Sequence, residues 1–402
     1  MQKRIAVIAL LLAVIPLFSN ARTEPSAKNN IITGADQVSA YLPYLKGKRV
    51  GMVVNQTSII GNKLSVDSLL RLGVTIKKIF GPEHGFRGNA SNGAHVGDEV
   101  DPATGIPIVS LYGQKRKPSK KDLEQIDIMI FDIADVGCRF YTNINTLRDV
   151  MESCAEAGKE LLILDRPNPN GYVDGPILDM KYKSGIGQFP IPITHGMTIG
   201  EFARMLNGEG WLLNKMQCRI KVIPVKNYTH DMDYTMPVEP SPNLNTQQSI
   251  LLYPSLCLFE GTIISQGRGT YMPFTVLGAP RLKGIFDFSF TPVSIPGKSE
   301  SPLHKDQACY GLDLRQFDVT PFRKAGKVNI RWIMDMYKAY PDKAKFFDRS
   351  YSTAMGNIDF LAGVASFKEQ VIAGKSEEEI RKSWEPGLSA YKKMRTKYLL
   401  YK

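Results

Sequence analysis

Residues 76–88 read Ile76-Lys77-Lys78-Ile79-Phe80-Gly81-Pro82-Glu83-His84-Gly85-Phe86-Arg87-Gly88. The first five are a short apolar-biased run of strand type. Three glycines and a proline then forbid its continuation and force a sharp turn. Into that turn are packed an acid, an imidazole, an aromatic ring and a guanidinium, none of which a simple reversal of direction requires. Such groups on a loop at a strand end mark a site carried by a rigid scaffold. The plain alternative is a glycine-rich turn with a solvated Glu–Arg pair.

Working outward, residues 34–225 alternate. Helix-like stretches at 36–45, 65–72, 145–158 and 198–207, with a helix-prone 120–125, separate strand-like runs at 48–55, 74–80, 106–111, 126–132, 160–165 and 219–225. Near-continuous apolar strands between amphipathic helices predict a parallel sheet covered on both faces, a doubly wound α/β domain. The unusual residues fall where those strands end: Asn55-Gln56-Thr57, the 81–88 loop, the 132–141 segment (DIADVGCRFY) and the 165–171 segment (DRPNPNG). In open α/β sheets the carboxyl-end rim is where ligands bind. Beyond residue 226 a polar, Pro-containing linker leads to an apolar helix-like stretch ending at Cys257 and a second glycine-rich loop (SQGRGT, 265–270). Strands are expected at 286–295 and 308–314, and helices at 328–340, 376–384 and 388–398, the last two parted by Pro386-Gly387. This predicts a smaller α+β domain, giving a signal peptide over 1–21, an α/β domain over 22–228 and an α+β domain over 229–402. The signal-peptide expectation rests on Lys3-Arg4, an apolar run over 5–18 and a small-residue site at Ser19-Asn20-Ala21. It places the protein in the periplasm or outside the cell, without a membrane anchor.

The formal net charge of +12 suits an anionic partner such as cell-wall polymer, although much of the excess lies on C-terminal helical stretches of the solvated type. Five widely spread cysteines lack a CxxC pair, so neither a zinc site nor a disulfide scaffold is indicated. The sequence has no GxGxxG, P-loop, GxSxG or HExxH motif, and no cofactor or metal is expected.

The carboxylates available at the rim and across the cleft are Glu83, Asp132, Asp135, Asp165 and Glu260. Acids in one cleft without a metal motif or an activated Ser or Cys fit general acid–base hydrolysis, and glycosidic cleavage is the reaction most often run by carboxyls alone. For Asp132 and Asp165 the structural alternative is capping of the following turn. His84 and His195 serve equally as orienting hydrogen-bonders or as bases.

Over nearly all of its mature length the sequence resembles the exo-acting β-N-acetylmuramidases of peptidoglycan recycling. The likeness is carried by KGKRVGMVVNQTSI (46–59), FGPEHGFRG (80–88), TGIPIVSLYG (104–113), FDIADVGCRFYT (131–142), LDRPNPNG (164–171), HGMTIGE (195–201), SPNL (241–244), FEGT (259–262) and GRGT (267–270). It implies a Rossmann-like domain plus a smaller one, release of terminal non-reducing N-acetylmuramic acid, and Glu83 as principal catalyst. The sugar's lactyl carboxylate then needs a cation, for which Arg87, Arg139, Arg166 and Arg268 are the candidates. Arg139 and Arg268 are favoured, since a planar fork grips a carboxylate twice. Asn55, Asn168 and Asn243, with Tyr141, His84, His195 and Glu260, complete the expected binding set. Either Asp132 or Asp135 is the second catalytic group, or the substrate's own acetamido group participates. The competing reading is a periplasmic muropeptide-binding protein without chemistry.

Overall fold

The computed structural model describes residues 30–82, 85–87, 99–113, 115–348 and 356–401. Residues 1–21, over which a signal peptide is expected, and Glu83 and His84 lie outside them.

A seven-stranded sheet organises the first half. Its strands are β1 (Arg49–Val54), β2 (Thr75–Gly81), β3 (Glu99–Val100), β4 (Pro107–Ser110), β5 (Ile128–Asp132), β6 (Glu160–Leu164) and β7 (Arg219–Ile223), in the order β7-β6-β5-β1-β2-β4-β3. All pairings are parallel except the short edge pair of β3 with β4. This is the Rossmann-like α/β arrangement, and the strand order reverses between β1 and β5. The crevice for a ligand therefore opens beyond Val54 and Asp132.

The alternation of side chains along each strand assigns two cores. On one face Val50, Met52, Val54, Ile128, Ile130, Leu162 and Leu164 pack with helices α1 (Val38–Leu45) and α2 (Ser65–Arg71). On the other, Val53, Met129, Phe131, Leu161 and Ile163 meet α3 (Asn143–Glu156) and α4 (Ile199–Gly208). Ile144, Leu147, Val150, Met151 and Cys154 form the buried stripe of α3 at helical spacing. Burial of each large apolar side chain here stabilises by roughly 1.5–3 kcal/mol. Helix α4 starts at a capping box in which Thr198 and Glu201 satisfy one another's backbone N–H groups.

In the second half, β8 (Val276–Ala279), β9 (Phe288–Phe290) and β10 (Cys309–Asp313) form an antiparallel sheet in the order β8-β10-β9. It shares one apolar cluster with α5 (Gln247–Leu256) and α6 (Arg331–Ala339). The strand expected over 286–295 stops at Phe290, because Pro292 has no N–H for the ladder. The two helices expected over 376–398 are one, α7 (Glu377–Arg395), with Pro386 inside it. Pro386 and Gly387 are exposed, so the hydrogen bond that proline forfeits falls on the solvent face. Trp384, Leu388 and Tyr391 bury the opposite face on both sides of the proline and hold the helix through it.

The chain's end returns to the first sheet. Tyr391 belongs to the core above α3 and α4, and its hydroxyl donates to the His195 carbonyl at 2.9 Å. The Tyr401 hydroxyl donates to Asp165 Oδ2 at 2.6 Å, and Glu201 Oε1 accepts from the Leu400 and Tyr401 N–H groups. All five cysteines are buried and free. Among the described residues no helix is long and apolar enough to cross a membrane.

Candidate active site

The rim beyond β1 and β5 is sewn together by short polar side chains. Asn55 Oδ1 accepts from the Thr57 N–H (2.9 Å) and hydroxyl (2.6 Å), the local turn asparagine favours after a strand. The Thr57 hydroxyl accepts from the Ala134 N–H at 3.0 Å, and Ser58 donates to the Asp132 carbonyl. The loop bearing Glu83 starts from this edge. Pro82 and Gly85 are buried, and the Gly85 N–H donates to the Pro82 carbonyl at 3.0 Å across the two residues between. Leu111 N–H ties the end of β4 to Gly81 at 2.8 Å. The start of the loop is therefore tied to the sheet at Gly81 and closed on itself between Pro82 and Gly85.

Each of the four candidate arginines already has partners within the protein. Arg87 grips Asp101 in a fork, Nε to Oδ1 and Nη2 to Oδ2, both at 2.8 Å. Arg166 donates to Asp132 Oδ1 from Nε (2.8 Å) and to the Ile59 carbonyl from Nη2 (2.7 Å). Burial pushes the Asp132 carboxyl pKa up, against the pull of Arg166 beside it. Arg268 meets Glu260 Oε1 through Nε (2.8 Å) and Nη2 (2.7 Å). Arg139 is fully buried. Its Nη1 donates to the Pro176 and Ile191 carbonyls (2.9 and 2.7 Å), and its Nη2 to Leu361 and Ala362 (2.8 and 2.7 Å). A guanidinium whose four Nη N–H groups hold carbonyls has no fork left for a ligand. The expectation of Arg139 as a substrate cation gives way to a structural tie between the two halves.

Asp135 is buried, with Oδ2 accepting the Gly137 N–H at 2.7 Å and facing His195 Nε2 at 3.4 Å. His195 Nδ1 accepts the Met197 N–H at 3.3 Å, so its proton sits on Nε2, toward the carboxylate. Asn168 lies beneath Gly137, donating to the Met197 carbonyl and accepting from Asn170 N–H. A Cβ at Gly137, whose φ is +78°, would stand 2.2 Å from Asn168 Oδ1, so glycine alone fits. Asp165 holds Thr198, Gly200 and Tyr401 and closes the fold beneath the rim rather than facing the cleft.

The opposite wall comes from the second half. Gln56 Nε2 and the Tyr141 hydroxyl both donate to the Pro240 carbonyl, each at 2.9 Å. They seat the 238–243 segment on the rim and leave a cavity of about 430 Å³ lined by Gln56, Arg87, Glu239, Pro242, Pro296 and Lys298, among others. Asn243 forms part of that wall's support, donating to the Lys298 carbonyl at 3.0 Å.

Family models described as the N-terminal and C-terminal parts of exo-β-N-acetylmuramidase NamZ match residues 50–248 and 251–401. The chain belongs to the NamZ family. It is 37% identical over 400 residues to the peptidoglycan β-N-acetylmuramidase NamZ of Bacillus subtilis (strain 168), covering 95% of this chain and 94% of that one. Two solved DUF1343 family proteins of Bacteroides fragilis NCTC 9343 share the fold. One is 45% identical with a TM-score of 0.84, covering 93% of this chain and 99% of its own. The other is 29% identical with a TM-score of 0.79, covering 92% and 99%.

In this NamZ-family chain the rim brings together Asn55, Asp132, Arg166 and the ends of the Glu83 loop, while Tyr141 and Asn243 support the facing wall. Glu260 and Arg268 are joined to one another. Lys298 and the Pro240 carbonyl were not anticipated, and Gln56 was placed on the rim without a role. The Pro296-Gly297 turn signal before Lys298 was the one available clue.

Proposed function

We propose that the protein is an exo-acting glycoside hydrolase that releases terminal non-reducing N-acetylmuramic acid from peptidoglycan fragments. Membership of the NamZ family along the length of the chain carries this reading. We place it outside the cytoplasm, on the signal-type N-terminus. Glu83 is the proton donor to the leaving oxygen, in a loop that leaves the sheet edge at Gly81, where Leu111 ties it down. The buried state of Asp132 and Asp135 bears on its partner. Asp132 is engaged by Arg166 through Oδ1, and Asp135 by Gly137 and His195 through Oδ2; the other oxygen of each has no hydrogen-bond partner among the described residues, but both carboxylates are buried away from an open approach. That favours participation by the substrate's acetamido group, with the two aspartates shaping the rim. The test is release of chromophore from an aryl N-acetylmuramic acid glycoside. Wild type turns over, and Glu83→Gln loses at least a hundredfold in kcat, within the range general acid catalysis supplies. Equal turnover by both proteins rules out the assignment of Glu83.

A further inference from the structure

N-acetylmuramic acid differs from N-acetylglucosamine by a lactyl ether bearing a carboxylate, so an enzyme selective for it needs a cation at the cleft. The four arginines offered by the sequence are engaged with Asp101, Asp132, Glu260 and a set of backbone carbonyls. A different cation lines the cavity between the rim and the opposite wall: Lys298. Among the described residues no carboxylate stands within ion-pair distance of its ammonium. Its backbone is nonetheless fixed. The Lys298 N–H donates to Ile295, its carbonyl accepts from Asn243, and Ile295 and Ser299 exchange two hydrogen bonds around it. Its Nζ lies 5.7 Å from the centre of the Tyr271 ring. Tyr271 follows the GRGT loop and is 76% exposed, an unusual state for a large ring.

We infer that Lys298 recognises the carboxylate of the substrate, and that Tyr271 positions its ammonium through the face of the ring. This rests on the functional reading given above and names the group that makes the site selective. A compact ammonium on a fixed backbone, without an ion-pair partner among the described residues, meets a single carboxylate directly, whereas the charge of Arg87, the arginine lining the same cavity, is already neutralised by Asp101 and Asp67. The aromatic face attracts the cation and limits its wandering into solvent. The role of Asn243 follows: it holds the lysine's carbonyl rather than touching sugar. Arg116 is a competing cation, without an ion-pair partner among the described residues. It lines a separate cavity of about 400 Å³ with Pro82, Tyr112 and Thr142, built from first-half loops alone.

The experiment compares two aryl glycosides, one of N-acetylmuramic acid and one of its lactyl methyl ester, which removes only the charge. Wild type should prefer the acid by tenfold or more in kcat/KM, a preference that shrinks as salt is raised. Lys298→Met should treat acid and ester alike, with its loss on the acid appearing chiefly in KM. Lys298→Arg should restore at least part of the discrimination. Discrimination preserved in Lys298→Met, or abolished instead by Arg116→Met, overturns the inference while leaving the hydrolase reading intact. A wild type that cleaves neither glycoside overturns both.

Discussion

Arg139 gives the sharpest separation between holding the fold and holding the substrate. Replacing it by methionine keeps most of the stem's volume and removes the charge. Four hydrogen bonds from a charged donor are lost, each worth about 1.5–3 kcal/mol when taken alone. Against this, the methionine avoids the several kcal/mol needed to desolvate a guanidinium that has no carboxylate partner. Burial also pulls the Arg139 pKa down, which is the same penalty seen from the other side. The Leu361 and Ala362 carbonyls close a five-residue helix, and without Arg139 they have no donor in its place. Gly363 follows with φ +84°, and a Cβ there would stand 2.7 Å from Arg139 Nη2, so the turn is shaped around the guanidinium. The net loss is on the order of 4 kcal/mol. At about 2.1 cal/mol/K per residue over roughly 370 residues, that lowers Tm by about 5 °C. Differential scanning calorimetry measures the shift, and initial rates at 25 °C on the N-acetylmuramic acid glycoside measure binding. The expected outcome is a lower Tm with KM within twofold of wild type. An unchanged Tm together with a tenfold higher KM would show that Arg139 touches substrate and would refute the argument.

Two further outcomes concern stability. Burial raises the Asp165 carboxyl pKa to about 6 from 3.8, against hydrogen bonds from Tyr401, Thr198 and Gly200 that lower it. Between those values the folded chain binds the proton more tightly than the unfolded chain, so this group's stabilisation is full below about pH 4 and is lost as pH rises through about 6. The difference in unfolding free energy between wild type and Asp165→Asn should therefore shift by roughly 3 kcal/mol toward wild type between pH 7 and pH 4. A flat difference in urea titrations at the two pH values contradicts it. Pro386 interrupts an otherwise continuous helix on its solvent side, so Pro386→Ala should stabilise by roughly 1–3 kcal/mol. A lower urea midpoint for Pro386→Ala would mean that the proline ends one helix and starts another.

The sheet was legible because its strands are buried on both faces, and unbroken runs such as IMIFD (128–132) have few other uses. The edge strand Glu99–Val100 was not, since two exposed residues carry no periodicity. Proline misled in both directions. Pro292, inside an apolar run, ends a strand by its missing N–H, whereas Pro386 fails to end a helix because packed side chains on either side outweigh the one lost bond. At the site, position was readable and partnership was not. That Asp132, Arg166 and Asn55 lie at strand ends follows from local pattern. That Arg139 is taken up by carbonyls more than two hundred residues away does not, because nothing local encodes a contact of that separation. The same blindness hid Lys298, which has no carboxylate partner among the described residues, a property only the assembled cleft reveals.

The ties between the halves bear on how the cleft works. Asp174, in the antiparallel ribbon that pairs Val173–Asp174 with Thr194–His195, accepts from Arg381 and from the Val328 N–H at 2.8 and 2.7 Å. Arg139 joins the 139 loop to the helix ending at Ala362, and Tyr391 and Tyr401 return the last helix to the first sheet. Each of these bonds involves a buried group, and a hinge opening the halves would break several at once, at about 1–3 kcal/mol for each group left unpaired. Substrate selection by closure of one half upon the other is thus disfavoured, and the cleft meets its sugar largely prebuilt. Rigidity of this kind reduces the ordering cost of binding. It also requires that selectivity come from fixed groups already in place, which is why an ammonium on an anchored turn, without an ion-pair partner among the described residues, matters here beside four arginines with partners of their own.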